Sequence, residues 1–361
     1  MQKFLLDKYK RILVTGGSGF IGSNLLKRLF KEENLHIFNL DKLSYSSDKF
    51  FGNSKEKDTY IKYNFLKVDL NNEIDTRNAL EISKPDLIIH LAAESHVDRS
   101  IDSPKIFLES NTIGTFNLLE ASRQYWNNLN LNKKNLFKFI HVSTDEVFGS
   151  LSTSGKFKEN SQYEPSSPYS ASKAASDHFV RSWYKTFKFP SIISNCSNNY
   201  GPRQFPEKLI PLTIQKIINK SIIPIFGNGS NIRDWLFVDD HIEALLLIAN
   251  NGSSGSRYCI GGGEEITNVN LIKLICEKID KKFDSFSNSD RLIKFVKDRP
   301  GHDFRYSIDN SFIKEELKWQ PKTTLNKGLD KTIDWYFNNL KWCREMINDS
   351  KYNLNRLGTK I

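Results

Sequence analysis

Cysteine is scarce in this chain: four residues in 361, at Cys196, Cys259, Cys276 and Cys343, far apart and without a CxxC pair. That spacing excludes a disulfide framework and a zinc ribbon, and single buried thiols in a reducing cytoplasm are the expectation. The seven histidines form no HExxH pattern, so no metal site is expected. Long apolar runs are missing too: residues 244–249 are typical of the longest, far short of the ~18 residues of a membrane span. Residues 1–11 interleave charges with Phe4, Leu5 and Leu6, which is not the apolar core of a signal peptide, and a cytoplasmic location is expected. There is no internal repeat and no low-complexity linker.

What is present is globular. Hydrophobic residues make up 39% and charged residues 26%, and the length suits one large α/β unit or two unequal lobes. The formal net charge is +10, which raises three anionic partners: nucleic acid, a membrane surface or a phosphorylated small molecule. Basic runs such as Lys8-Tyr9-Lys10-Arg11 and Lys281-Lys282 are too short for a polybasic arm, and Lys, Asn and Ile are frequent throughout. Most of the excess therefore reads as solvated surface, with neither nucleic acid nor membrane as partner.

Short apolar runs at residues 11–15, 35–40, 65–68, 87–91, 139–143 and 191–194 read as buried strands. Helical patterns lie between them, notably at 104–123 and 170–187. Strands alternating with helices predict a parallel sheet covered on both faces. Beyond about Tyr200 the rhythm changes: Pro202, Pro206, Pro211 and Pro224, with Gly227-Asn228-Gly229, mark loops and short elements. Helical patterns return at 239–249, 269–281 and 325–340. The expected fold is α/β, a Rossmann-type doubly wound parallel sheet with a smaller, mostly C-terminal α/β substrate lobe. Residues 1–198 would bind the cofactor, with a return to the sheet around 235–260, and 199–361 would largely form the interleaved substrate half.

The first strand runs directly into Gly16, Gly19 and Gly22, a GxxGxxG variant of the dinucleotide fingerprint. Such a turn needs glycine so that backbone can approach a pyrophosphate at the N-terminus of the following helix, where Ile21, Leu25, Leu26 and Leu29 recur at helical spacing. Asp41 ends the second strand, where an acid accepts the adenosine ribose hydroxyls and repels a 2′-phosphate; that favours NAD over NADP. Asp69-Leu70, after the third strand, is placed for the adenine. Leu91-Ala92-Ala93, after the fourth, offers small side chains where backbone approaches a ligand.

Tyr169 and Lys173 form a YxxxK pair, whose spacing puts both on one helix face. A lysine ammonium there favours the phenolate and lowers its pKa toward the working range. Ser143-Thr144-Asp145-Glu146 comes directly off the fifth strand, where a hydroxyl can orient a substrate hydroxyl toward the tyrosine.

On these residues the chain resembles the extended short-chain dehydrogenase/reductase family. Within it, the resemblance narrows to the 4,6-dehydratases of dTDP-glucose and covers nearly the whole chain. Carrying it are residues 90–100 (HLAAESHVDRS), 143–149 (STDEVFG), 168–173 (PYSASK), 195–202 (NCSNNYGP), 205–211 (FPEKLIP), 232–235 (IRDW) and 298–303 (DRPGHD). The resemblance implies tightly bound NAD held by Gly16, Gly19, Phe20, Ile21, Gly22, Asp41, Lys42, Leu43, Ser44, Asp69, Leu70, Leu91, Ala92, Ala93, Ser110, Tyr169, Lys173 and Asn199. It implies a sugar nucleotide, dTDP-glucose, held by Ser95, Thr144, Asp145, Glu146, Asn198, Lys208, Leu209, Pro224, Ile225, Phe226, Arg233, Asn268, Arg299 and His302. Arg233, Arg299 and Lys208 would meet the diphosphate. Phe226 and Phe148 stand where the family often has Tyr. A homodimer through the helices at 104–123 and 170–187 is also implied, as is a role in rhamnose-type deoxysugar and cell-surface polysaccharide synthesis.

Asp145-Glu146 is the discriminating feature. A 4-epimerase only moves a hydride off and back onto C4, whereas a dehydratase must also remove the C5 proton and expel the C6 hydroxyl as water. Adjacent carboxyls can be driven to different pKa values by their surroundings, giving one base and one acid. The implied catalytic set is Thr144, Asp145, Glu146, Tyr169 and Lys173. Dehydratases of UDP- or CDP-glucose and 4-epimerases are the alternatives. A non-enzymatic NAD-sensing regulator would have lost the Tyr/Lys pair, which this chain retains.

Overall fold

A computed structural model describes residues 6, 8–32, 34–52, 62–350, 352 and 354. Its strands are β1 (Arg11–Thr15), β2 (His36–Asp41), β3 (Lys62–Lys67), β4 (Leu87–His90), β5 (Lys138–Thr144), β6 (Ser191–Cys196), β7 (Asn198–Tyr200), β8 (Ile223–Phe226), β9 (Ile232–Phe237), β10 (Arg257–Ile260), β11 (Glu265–Thr267) and β12 (Ile293–Val296). Seven of them form one parallel sheet in the order β10-β6-β5-β4-β1-β2-β3. Successive side chains in a strand point to opposite faces, and here both faces are buried. Ile12, Val14, Ile89 and Ile140 enter one apolar cluster, while Leu13, Ile88 and Phe139 enter a second on the other face. This is why the strands read as continuous apolar runs rather than alternating ones.

The chain returns to the sheet at β10, and Ile313, Leu317 and Trp319 also join the core of its first face. A smaller body is built on β11-β9-β7 and the β12-β8 pair. Its core takes Ile210, Ile214 and Ile217 from the helix Leu209–Ile218, Leu271 and Ile275 from Asn268–Lys282, and Leu329, Ile333 and Tyr336 from Leu325–Asn338.

Three local expectations are sharpened. The helical stretch over 104–123 runs through Pro104–Phe107, a wide π-turn at Leu108–Ile113 and Gly114–Asn127. The widened turn lets Asn111 exchange hydrogen bonds with the Glu94 backbone at 2.8 and 3.0 Å and donate to Ser172 Oγ at 2.9 Å. Pro211 marks no loop; it lies in the first turn of Leu209–Ile218, where a missing N–H costs little. Pro224 sits inside β8, whose only strand partner among the described residues is β12, and an edge tolerates proline. The helix Leu340–Ser350 follows the last helical pattern read from the sequence.

Candidate active site

The groove follows from topology: in a doubly wound sheet the loops at the carboxyl ends of the strands open one crevice. β1 ends in the glycine loop, β2 at Asp41, β4 before Leu91, β5 at Thr144 and β6 before Asn198. Three cavities run along this edge and share walls. The first, of about 80 Å³, is lined by Gly16, Gly19, Asp41, Lys42, Ser44, Asp69, Leu70, Ala92 and Ser110 among others. It shares Gly16, Gly19, Leu91 and Ala93 with a central cavity of about 290 Å³, which also holds Phe20, Ile21, Gly22, Ser95, Thr144, Asp145, Tyr169, Lys173 and Asn199. Glu146, Asn198, Lys208, Leu209 and Trp235 line both the central cavity and a third of about 190 Å³. That third cavity is walled by Pro224, Ile225, Phe226, Arg233, Asn268, Arg299 and His302. Every expected site residue except Leu43 thus lies on one continuous groove.

At the first end, Gly16 has φ 69°, and a Cβ there would sit 2.6 Å from the Ala92 backbone nitrogen. Leu91–Ala93 thus pack closely against the glycine loop while lining the cavities. The helix Phe20–Leu29 starts at Gly19 with no side chain capping it, which leaves its N-terminal amides facing the cavity, a fitting seat for a pyrophosphate. Asp41 is buried and accepts from the amides of Ser18 and Leu43 at 3.0 and 2.8 Å. Burial raises its pKa, and those hydrogen bonds oppose the rise. Leu43, at φ 59°, shapes this turn rather than lining the cavity. Lys42 bridges to Glu94 at 3.3 Å and Ser110 at 3.5 Å. Glycine loop, open helix end and buried acid are the donor set a dinucleotide requires.

In the centre, Thr144 ends β5, and its hydroxyl accepts from the Glu146 amide at 3.2 Å, folding Asp145–Phe148 into a 3₁₀ turn. Tyr169 and Lys173 come from the helix Pro168–Phe187, started by Pro168 and a reciprocal Ser167/Ser170 capping box. Burial, then the neighbouring Glu146 and Asp234 carboxylates, holds Asp145 well above an ordinary carboxyl. Glu146 is also raised by burial, but Arg299, Lys208 and Arg233 pull it back. The two carboxyls thus sit in different electrostatic settings.

Burial and then Glu146 hold the Tyr169 phenol well above its ordinary value. Four residues on, the Lys173 Nζ donates to the Val142 carbonyl at 2.9 Å.

The third cavity is cationic, but its cations are engaged. Arg233 donates to the carbonyls of Ile232 and Asp303 at 2.8 and 2.9 Å, with its guanidinium 4.3 Å from the Tyr306 ring centre. Arg299 pairs with Asp98 at 3.1 Å, His302 with Asp298 at 2.7 Å, and Lys208 donates to the Ser95 carbonyl at 2.6 Å. Sequence reasoning missed Trp235, Glu207 and Tyr306. The first two stood inside quoted motifs, and only their position between the cavities marks them. Among the described residues there is no metal-ligating cluster, no helix long and apolar enough to cross a membrane, and all four cysteines are free and buried.

The pattern of the GDP-mannose 4,6 dehydratase family matches residues 13–332. A dTDP-glucose 4,6-dehydratase of Escherichia coli is 45% identical over 361 residues, covering 96% of this chain and 99% of its own length. Among solved structures, the dTDP-glucose 4,6-dehydratase of Bacillus anthracis in complex with NAD is 38% identical with a TM-score of 0.81, covering 93% of this chain and 99% of that one. That of Streptomyces venezuelae, with NAD and TYD bound, is 36% identical with a TM-score of 0.83 at the same coverage.

Proposed function

The chain belongs to the GDP-mannose 4,6-dehydratase family, and from that premise we propose that it is a dTDP-glucose 4,6-dehydratase using bound NAD. The observation that carries this reading is Asp145-Glu146 at the end of β5, in one cavity with Tyr169, Lys173 and the glycine loop. The relatives that match nearly end to end act on dTDP-glucose by name.

The glycine loop, the amides of Phe20–Leu29, Asp41 and the first cavity would hold the cofactor. When bound, NAD accepts the C4 hydride of the sugar and returns it to C6. The remaining steps belong to the protein. Tyr169, as the phenolate that the Lys173 ammonium favours, takes the O4 proton, with Thr144 holding O4. The 4-ketone acidifies the C5 proton. Glu146, kept ionisable by Arg299, Lys208 and Arg233, removes it. Asp145, held protonated by burial and its acidic neighbours, delivers a proton to the departing O6, which leaves as water. C5 is reprotonated as C6 is reduced, so no net redox change remains. Arg233, Arg299 and Lys208 face the diphosphate, and Pro224, Ile225 and Phe226 the base.

Residues 1–198 with the return at β10 form the cofactor half in this reading, and 199–361 largely the substrate half. Exposed Ile106, Leu108, Ile113, Phe116 and Phe187 support a homodimer through these helices. Four buried free thiols support a cytoplasmic location.

The test is to supply dTDP-, UDP- and CDP-glucose and GDP-mannose separately in deuterated water. Expected is a 4-keto-6-deoxy product from dTDP-glucose carrying deuterium at C5. A gluco/galacto mixture would mean an epimerase, and product mainly from another nucleotide would overturn the base assignment.

A further inference from the structure

Behind the reacting groups lies a second polar layer that the mechanism leaves unused. Tyr169, Lys173 and Asp177 recur every four residues along Pro168–Phe187, so they share a face of that helix. Asp177 is fully buried. Its Oδ2 accepts from the Tyr163 hydroxyl at 2.6 Å and from Asn195 Nδ2 at 3.0 Å. Its Oδ1 stands 3.1 Å from Nε2 of His141, which is also fully buried. The same Asn195 amide donates to the Thr144 carbonyl at 3.0 Å, tying this layer to the end of β5. A carboxylate removed from water on this scale is retained only where its lone pairs are filled and a cation is near. The only cation of the group is Lys173, itself buried.

The groups facing Lys173 come from four elements: Asp177 on its own helix, His141 on β5, His90 on β4 and Cys196 on β6. Burial keeps both imidazoles neutral near pH 7, with His141 brought down to about 4, and it pushes the Cys196 thiol up to about 12. Burial alone opposes charge on Asp177, but His141, Lys173 and Tyr163 bring it down to about 2. Of the four, Asp177 alone carries charge near neutrality. Burial brings Lys173 down to about 8, and Asp177 is the main group working against that fall.

We propose that Asp177 is a positioning residue for Lys173: its carboxylate, fixed by Tyr163, Asn195 and His141, is the counter-charge that keeps the lysine an ammonium at the end of β5. The inference rests on the reading of Lys173 as a participant in the O4 proton transfer. If Lys173 must be charged, removing the Asp177 charge lets burial strip its proton at lower pH. The alkaline limb of turnover then moves down in pH while the acidic side is spared.

The experiment uses the full-length, NAD-loaded enzyme with dTDP-glucose between pH 5.5 and 9.5. For a drop of one pKa unit in Lys173, Asp177→Asn is expected to lose about fivefold in kcat at pH 8 and about tenfold at pH 9, with most activity retained near pH 6. Asp177→Glu, which keeps the charge, is expected to recover much of the parent profile. An equal loss at every pH, or an unmoved alkaline limb, would overturn the proposal and make Asp177 a structural residue only. If Asp177→Asn does not fold, Tyr163→Phe, which removes one anchor of the carboxylate, decides the matter by the same criterion with a smaller shift. Lys173→Met separates the two readings: retained turnover there sinks the role of Lys173 itself, whatever Asp177 does.

Discussion

The two ends of the groove solve opposite problems. At the sheet end, the proposed reacting groups hang from the last residues of β5 and the start of a capped helix, and burial shifts the pKa values of Asp145, Glu146, Tyr169 and Lys173. At the lobe end, the cations Arg233, Arg299 and Lys208 are already held by carbonyls or carboxylates. Burial acts at both ends, but at the lobe end preformed pairs with carboxylates join it. Groups of the sheet end should govern turnover and those of the lobe end binding, so variants at the two ends should separate kcat from KM.

The largest expected effect tests the sheet end. Glu146→Gln keeps the shape but removes the base, and general-base loss costs roughly 10²- to 10⁴-fold in rate. Turnover should fall within that range with KM little changed, while reduced cofactor accumulates at 340 nm because the O4 step persists. Deuterium incorporation at C5 should fall in parallel. Undiminished turnover would remove Glu146 from its role and dissolve the contrast between the two ends.

Arg299 tests where the ends meet, since it lines the third cavity and is the leading charge opposing the rise in Glu146. Charged hydrogen bonds correspond to about 10- to 100-fold in binding, so Arg299→Ala should raise KM for dTDP-glucose by about that factor. The sign on Glu146 follows from its role. It must be ionised to act, burial raises its pKa, and losing the cation raises it further. The acidic limb of the kcat profile should therefore move to higher pH, with kcat at the optimum within a few-fold of the parent. A kcat loss at all pH values with KM unchanged would place Arg299 at the sheet end instead.

This division explains what was legible beforehand. The glycine loop, the capped start of Pro168–Phe187 and the acids after β5 are local patterns, written within a few residues of each other. The strands were legible because both sheet faces are buried. The π-turn at Leu108–Ile113 was not, because LESNTI fits a helix. Tertiary bonds from Asn111 to Glu94 and Ser172 accompany the opening. Glu207 was passed over because its partners Arg99 and Tyr45 lie 108 and 162 residues away. The Val142 carbonyl that Lys173 meets was not legible for the same reason: which carbonyl a buried ammonium meets is a property of the packed sheet. Site residues written at strand ends are thus readable, while those held by long-range pairs are not.

The smallest effect concerns the wall of the third cavity. Phe226 sits on β8 with its ring 6.5 Å from that of His302, edge to face, and it lines the third cavity beside Pro224 and Ile225. A phenyl ring offers area and a quadrupole but no hydrogen-bond donor, so its contribution to a bound base is that of one aromatic contact. Such contacts amount to about 0.5–1.5 kcal/mol, and Phe226→Ala should raise KM for dTDP-glucose only about 2- to 12-fold, with kcat and both limbs of its pH profile unmoved. Phe226→Tyr preserves the ring and should stay within about twofold, because the added hydroxyl leaves the aromatic contact in place. A change in kcat or in either limb for these variants would mean that the lobe end reaches the proton-transfer groups. The two ends would then no longer be separable along the groove.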